Sequence, residues 1–181
     1  MEDDALYISE QEILKQRAIK LSKLIKTEAG ANEEHLFMLS FQLASQTYCV
    51  ETKFIKEVLL LKDLTPIPNT PDFVYGVINV KGQITTVYNT KKIFNVKEIG
   101  MTDQNKVIIL KDDDKEIEFG LLVDRIIGNI SLSLQEIEDI PDNLNDTGKE
   151  YLKGITNDGI IVINTKVFIE SPSLVISNLK L

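Results

Sequence analysis

The chain has 181 residues, of which 43% are apolar and 27% are charged, and its formal net charge is −8. This balance predicts a folded globular protein with one substantial core or two small ones, and the apolar runs are far shorter than the roughly 20 residues of a membrane helix. One Cys and one His, Cys49 and His35, exclude an internal disulfide and the usual zinc sites.

Residues 1–34 form an N-terminal extension for which the sequence predicts an amphipathic helix at about 9–29. Ser9 and Glu12 make a capping box, and Gly30 is a stop signal after the helix. The apolar stripe is Leu14, Ala18, Leu21 and Ile25. The opposite face is basic, so a membrane surface or a partner's groove is one possible contact. We favour the alternative, in which the helix lies on the protein's own barrel or links two copies.

From His35 onward the hydrophobic period changes from about 3.6 to 2, which predicts β-strands. In the first strand, the residues that alternate with Met38, Ser40 and Gln42 are Phe37, Leu39, Phe41 and Leu43. We expect a turn at 44–46, a second strand at 47–50, a helical turn at 51–55 and a third strand at 56–61.

A proline-rich connector and a hairpin follow. Residues 66–71 carry three prolines, which fix φ and remove backbone donors, so they form a rigid extended segment. After Gly76, two apolar runs at 77–80 and 84–88 flank Lys81-Gly82. This pattern is typical of two strands joined by a tight glycine turn.

The second half predicts strands at 106–110, 115–123 and 125–132, an acidic irregular segment at 134–145, and a closing hairpin at 151–163 with an Asp-Gly turn. The aspartates at 112–114 are interpreted as a solvated turn. They lack the glycine and the distal Glu that a calcium-binding EF-hand loop requires.

An internal repeat indicates a duplicated unit. Residues 87–94 align with 162–169, and the two copies share Asn-Thr-Lys. A strand led by a glycine, Gly76 or Gly154, precedes each copy. Many short strands with glycine turns predict a mainly β fold that closes as small barrels.

The pattern PxxPxFVxGVINxxGxxxxVxN, which ends at Asn89, resembles the signature region of the CheW family, the adaptor proteins of bacterial chemosensory arrays. Glu57-Val58 and the segment 120–124 match further sequence motifs of that family. The resemblance implies a CheW-like domain at residues 35–178, in which two SH3-like five-stranded β-barrels pack around a shared core.

Three positions depart from the family's usual words, Asn-Leu-Arg-Gly and Pro-Val-x-Asp-Leu-Arg. Here Lys81, Thr86 and Asn89 replace the arginine, the proline and the aspartate. Lysine keeps the charge but loses the planar fork of a guanidinium, so we expect altered partner choice. Asparagine still caps a helix, so the fold should tolerate Asn89.

The resemblance implies a non-enzymatic chemotaxis adaptor and scaffold without a cofactor. Its partners would be the regulatory domain of the histidine kinase CheA and the cytoplasmic helical tip of a chemoreceptor. The partner-binding residues carried over from the family are Ile55, Glu57, Val80, Lys81, Gly82, Thr86 and Asn89. Glu57 and Lys81 would form an ion pair that shapes the loop, or each would meet charge on the receptor. The simpler alternative is that Glu57 is a solvated strand residue and that Gly82 only serves the turn.

The acidic start of the chain differs from a basic signal peptide. We therefore expect a cytoplasmic protein, recruited to receptor arrays at the inner face of the membrane but not inserted in it. Residues 101–150 hold 13 acids against 5 bases, whereas residues 51–100 hold 5 acids against 7 bases. Neither range supplies the basic stripe that binds phosphate backbones, which argues against nucleic acid as a partner.

Two alternatives stay open. One is a CheW-like adaptor of a non-flagellar chemosensory pathway, which the sequence does not distinguish from the chemotaxis adaptor described above. The other is an enzyme or small-ligand binder on a β-barrel, whose mark would be a deep pocket with convergent polar groups of perturbed pKa. A single histidine and the lack of a glycine-rich phosphate loop argue against the common catalytic sites, and a pair of carboxylates that converge among the 28 acids is the alternative that the sequence leaves open.

Overall fold

Strands and short helices make up the part of the chain that the computed structural model describes, residues 35–97, 105–112, 114, 116–140 and 148–171. The strands are β1 (His35–Leu43), β2 (Gln46–Glu51), β3 (Ile55–Leu60), β4 (Val74–Val80), β5 (Gln83–Asn89), β6 (Lys106–Asp112), β7 (Ile117–Val123), β8 (Arg125–Ser133), β9 (Ile137–Glu138), β10 (Leu152–Thr156) and β11 (Ile161–Ile163). The α-helices are α1 (Thr90–Ile93) and α2 (Thr165–Glu170), and 3-10 turns lie at Thr52–Phe54, Leu134–Glu136 and Lys149–Tyr151. The helix predicted at 9–29 lies outside the described residues, as does the end of the predicted domain after Ser171.

The strands form two sheets with the same pairing scheme. The first has the order β8-β1-β2-β11-β10-β9, and the second has the order β3-β6-β7-β5-β4. The pairs β2–β11 and β7–β5 are parallel, and all the other named pairs are antiparallel. The first five strands of one order therefore correspond to the five of the other. In chain order, the strands of the second sheet lie between two groups of first-sheet strands: β1 and β2 precede them, and β8 to β11 follow them.

The short strand β9 is additional, and it corrects the prediction that residues 134–145 are irregular throughout. It pairs with β10 through Glu138 and Ile155. A 3-10 turn at Leu134–Glu136 precedes it, with a capping box in which Ser133 and Glu136 satisfy each other's backbone N–H groups. Because only two residues of β9 pair, the hydrophobic period carried no signal for it.

Three hydrophobic cores explain why several strands are buried on both faces. In β6, Val107 and Ile109 pack in a core within the second sheet, whereas Ile108 and Leu110 pack in a larger core that both sheets share. A smaller core within the first sheet contains Met38, Cys49, Leu132 and Val162. Alternate side chains of one strand thus enter different cores. The predicted fold class, mainly β with two packed units around a shared core, is confirmed.

The strand β1 shows where simple alternation fails. Met38 and Ser40, which alternate with the apolar residues, are buried, and Phe37 is 63% exposed. Met38 packs in the first sheet's own core, and Leu39 packs in the shared core. Phe37 lies near the start of the strand, where its side chain enters neither core.

The two Asn-Thr-Lys motifs occupy equivalent places at the ends of β5 and β11, the strands that pair in parallel with β7 and β2. Asn89 Oδ1 accepts the backbone N–H of Lys92, and Asn164 Oδ1 accepts that of Val167, both at 3.3 Å. Each asparagine is therefore the N-cap of the short helix that follows. The two threonines that follow differ: Thr165 Oγ1 accepts the N–H of Glu51 at 3.0 Å, whereas the buried Thr90 Oγ1 has no hydrogen-bond partner.

This difference predicts opposite outcomes for the same substitution. Thr165→Val should lower the free energy of unfolding by about 1–3 kcal/mol, because it leaves the Glu51 N–H buried without an acceptor. Thr90→Val should be neutral or stabilising, because it removes a buried hydroxyl that makes no hydrogen bond. Urea unfolding of the two variants measures this, and equal losses of stability would contradict the assignment.

Candidate partner-binding site

The tip of the β4–β5 hairpin is a two-residue loop, Lys81-Gly82, between the paired residues Val80 and Gln83. Lys81 has φ 54° and Gly82 has φ 91°, so both lie in the left-handed region that a type I′ hairpin turn requires. Apart from Gly82 itself and its two neighbours in the chain, no residue has an atom within 4 Å of the position that a Cβ on Gly82 would take. Gly82 is thus needed for its backbone conformation, and it leaves open space beside Lys81.

Lys81 forms an ion pair with Glu57 of β3. The ammonium Nζ lies 2.9 Å from Oε2 and 3.1 Å from Oε1 of the carboxylate. The Lys81 side chain is 78% exposed, whereas the Glu57 side chain is 18% exposed. Because β3 and β4 are at opposite ends of the sheet order, this contact requires the sheet to curl until its two edges meet.

The connector between β3 and β4 closes the same seam, which is the line along which the β3 and β4 edges of the curled sheet meet. The N–H and the carbonyl of Thr65 each bond to Val77 of β4, both at 2.9 Å. The prolines predicted to stiffen this connector, Pro66, Pro68 and Pro71, follow directly after Thr65. The backbone therefore fixes the edge of the barrel along β4, and the Glu57–Lys81 pair lies at the tip of that strand.

A second ion pair beside the first was not predicted from the sequence. Lys56 Nζ lies 2.5 Å from Oε2 of Glu118 in β7, and Thr85 Oγ1 donates to Oε1 of the same carboxylate at 3.2 Å. An open cleft of about 270 Å³ adjoins this pair, with Gln83 and Lys111 among its lining residues. The adjacent residues Lys56 and Glu57 thus engage opposite charges on β7 and on the β4–β5 turn.

The remaining predicted residues differ in their access to a partner. Ile55 is half-buried at the start of β3 and packs against the shared core. Val80 is buried in the core of the second sheet, so it supports the tip rather than meeting a partner. Thr86 is half-buried and pairs with Val77. Asn89 is a buried helix cap at the far end of β5, about 20 Å from the tip at the usual rise per strand residue.

Exposed apolar side chains lie close in sequence to the ion pair. Val58 and Leu60 follow Glu57 in β3, and Ile84 follows the tip in β5. Because successive side chains of a strand point to opposite faces, Val58 and Leu60 lie on the face of β3 opposite to Glu57, and of the three only Ile84 is left as an exposed apolar neighbour of the tip.

The described residues do not offer the elements of a catalytic site. His35 is exposed at the start of β1. Burial raises the pKa of the Cys49 thiol to about 12, which keeps it protonated and a poor nucleophile at neutral pH. Burial also raises the pKa of Tyr48 to about 12. Within the described ranges no three His, Cys, Asp or Glu residues converge to hold a metal, and no helix has the length and apolar character to span a membrane.

Comparison with known proteins identifies the family. The family model of the CheW-like domain matches residues 38–172. The chain belongs to this family. The chemotaxis protein CheW of Thermotoga maritima is 32% identical over 139 residues, which cover 77% of this chain and 89% of that protein. The chemotaxis protein CheW of Treponema pallidum is 27% identical over 152 residues, which cover 80% of this chain and 88% of that protein.

A solved structure supports the same CheW fold. The crystal structure of the scaffolding protein TtCheW from Thermoanaerobacter tengcongensis superimposes with a TM-score of 0.63 at 28% sequence identity. It covers 72% of this chain and 84% of the compared chain. The resemblance to the CheW family that the sequence predicted is confirmed.

Proposed function

We propose that this chain is a non-enzymatic chemotaxis adaptor, which couples the cytoplasmic tip of a chemoreceptor to the regulatory domain of the histidine kinase CheA. The observation that carries the proposal is the Glu57–Lys81 ion pair at the tip of the β4–β5 hairpin. It occupies the position to which the family resemblance assigns partner binding. The relatives that are named chemotaxis proteins and the scaffolding protein with the similar structure support the adaptor class.

The geometry of the tip suits protein recognition. Two of the three N–H donors of the Lys81 ammonium are satisfied by the two oxygens of Glu57, which leaves one donor for a partner's acceptor. The open space at Gly82 allows a partner's backbone to approach the loop. Lysine presents this donor without the fork of an arginine, so contacts that need two parallel hydrogen bonds should be weaker than in relatives with arginine.

The partner surface that we propose consists of Glu57, Lys81, Gly82 and the neighbouring exposed Ile84. Ile55, Val80 and Thr86 support this surface from within the barrel. Asn89 contributes through the fold as a helix cap and not by contact. By this proposal the protein acts inside the cell, at the arrays where its receptors cluster.

Calorimetric titration against the CheA regulatory domain of the same organism tests the proposal. We expect a dissociation constant in the micromolar range, which corresponds to about −8 kcal/mol. Lys81→Glu should weaken binding about tenfold or more, or about 1.4 kcal/mol, because it places a second carboxylate beside Glu57. Lys153→Glu, a charge reversal at an exposed lysine of β10, is the matched control and should bind like the unchanged protein.

The same titration against a peptide hairpin from a chemoreceptor tip tests the second partner. If the unchanged protein binds neither the kinase domain nor the receptor tip, the proposed function is wrong. If it binds but Lys81→Glu and Lys153→Glu have equal effects, the adaptor class stands and the binding surface lies elsewhere.

A further inference from the structure

The side chain of Asn79 supports the tip that carries Lys81. Its Oδ1 accepts the N–H of Gly82 at 2.7 Å, so a side-chain oxygen helps to close the loop. The corresponding β10–β11 hairpin uses no asparagine for this purpose: the N–H of Gly159 donates to the carbonyl of Thr156 at 2.8 Å, and the N–H of Ile160 donates to Thr156 Oγ1 at 3.1 Å. Dependence on an asparagine is therefore a property of the tip at the proposed partner site.

The backbone of this tip decides where the Lys81 ammonium can go. Lys81 has φ 54°, a conformation that costs free energy for a residue with a Cβ. The contact with Glu57 crosses the seam of the barrel, between strands that are not neighbours in the sheet. A change in the turn would redirect the long Lys81 side chain and remove the ammonium from both carboxylate oxygens.

Asn79 itself is exposed and lies opposite the exposed Ile84. Its removal should leave the core of the second sheet intact, because Ile78 and Val80, which flank it, supply the buried contacts. The hydrogen bond to Gly82 joins the strand to its own turn and not to another element. The consequences of losing it should therefore be confined to the hairpin tip.

We infer that Asn79 is a positioning residue of the partner surface: its amide oxygen holds the turn at Gly82, and the turn holds the Lys81 ammonium on Glu57. The inference rests on the proposed function, because it states how the charge that meets the partner is placed. It assigns to Asn79 an effect on partner affinity that operates through Lys81.

A double-mutant cycle on binding tests this. Asn79→Ala should weaken binding to the kinase domain about tenfold, or about 1.4 kcal/mol. Asn79→Asp retains an acceptor oxygen and should restore most of the affinity. Combined with Lys81→Met, Asn79→Ala should add no further loss, because the group that it positions is gone. Asn157→Ala, at an exposed turn asparagine of the other hairpin, is the matched control and should have no effect.

Two results would overturn the inference. One is unchanged affinity in Asn79→Ala. The other is the same additional loss from Asn79→Ala in the Lys81→Met background, which would assign it a contact or a general structural role.

If the unchanged protein binds no partner, the proposed function fails, and thermal unfolding alone decides the inference. Glu57→Gln and Lys81→Met, made singly and together, then measure the coupling of the ion pair with and without Asn79→Ala. Coupling that disappears without Asn79 supports the inference, whereas coupling that persists, or that is absent already in the unchanged background, overturns it.

Discussion

Asp124→Asn should lower the free energy of unfolding by about 3 kcal/mol, because it removes the carboxylate charge that the buried Lys91 ammonium contacts. The Lys91 Nζ lies 2.6 Å from Asp124 Oδ1, and the side chains are 9% and 23% exposed. In a chain of this length, such a loss corresponds to a decrease of roughly 6–12 °C in the melting temperature.

The position of Asp124 explains why the effect should be large. It lies between β7 of the second sheet and β8 of the first, where the chain crosses from one sheet to the other. Its Oδ2 accepts the N–H of Ala44, in the β1–β2 turn, at 2.7 Å, and its Oδ1 accepts from Asn105 Nδ2 at 3.3 Å. The Asp124 carboxylate therefore joins the β1–β2 turn of the first sheet to two parts of the second sheet: Lys91 in α1, and Asn105 directly before β6.

Differential scanning calorimetry of four variants checks this prediction. Lys91→Met should cost about as much as Asp124→Asn, and the double variant should cost clearly less than the sum, since either single substitution already removes the attraction between the two charges. Lys153→Met removes the same charge from an exposed position and should change stability by less than about 0.5 kcal/mol. Strict additivity of the two single losses would mean that the pair does not act as a unit.

The elements whose signals are local in the sequence were predictable. The Lys81-Gly82 turn between apolar runs predicted the β4–β5 hairpin, because a two-residue loop with a glycine has few alternatives. The Asn-Thr-Lys words predicted a repeated unit, and both asparagines cap short helices in the structure. The resemblance to the CheW family added the two-barrel architecture, which composition and periodicity alone left general.

Contacts between distant strands could not be predicted in this way. The Lys56–Glu118 pair joins residues 62 positions apart, and its partners follow from the β3-β6-β7 order and not from any local pattern. Phe37 continues the apolar alternation of β1 but is exposed, because periodicity does not reveal where a strand leaves the core. The ion pair between Glu57 and Lys81 was one of three alternatives, and it forms because the sheet curls, which no local pattern reveals.

Which residues meet a partner stays a prediction. The structure places Glu57, Lys81 and Gly82 together at one tip, and it places Asn89 at the opposite end of β5 as a helix cap. The family resemblance assigned all of them to one set of partner-binding residues. A strand of seven residues separates the tip from the cap, so closeness in sequence and closeness on the surface differ here.

Gly154→Ala should lower the free energy of unfolding by about 3 kcal/mol, at the upper end of the usual cost of overpacking. A Cβ at this position would overlap the carbonyl oxygen of Glu138 and lie 2.5 Å from Ile137 Cγ2. Both neighbours belong to β9, which pairs with β10 through Ile155 and Thr156. The strand β9 would have to withdraw, and its hydrogen bonds to β10 would be lost.

The corresponding position in the second sheet shows the same device. A Cβ on Gly76 would lie 2.5 Å from the carbonyl oxygen of Thr65, whose segment pairs with β4 as β9 pairs with β10. Gly76→Ala should therefore cost a similar amount or more, since Gly76 also has φ 153°, a conformation that residues with a Cβ rarely adopt. Gly128→Ala is the matched control, because nothing lies within 4 Å of its added Cβ and alanine is favoured over glycine in a strand by roughly 0.5–1 kcal/mol.

Urea unfolding of the three alanine variants, together with hydrogen exchange of the β9 and β10 amides, distinguishes two accounts of the first sheet. If Gly154→Ala and Gly76→Ala lose similar stability while Gly128→Ala does not, each barrel depends on a glycine. The missing side chain leaves room for the segment that pairs beside it, β9 in the first sheet and the Thr65 segment in the second. If Gly154→Ala unfolds like the unchanged protein and only the β9 amides exchange faster, β9 is dispensable. The first sheet would then be stable with five strands, the same number as its duplicate.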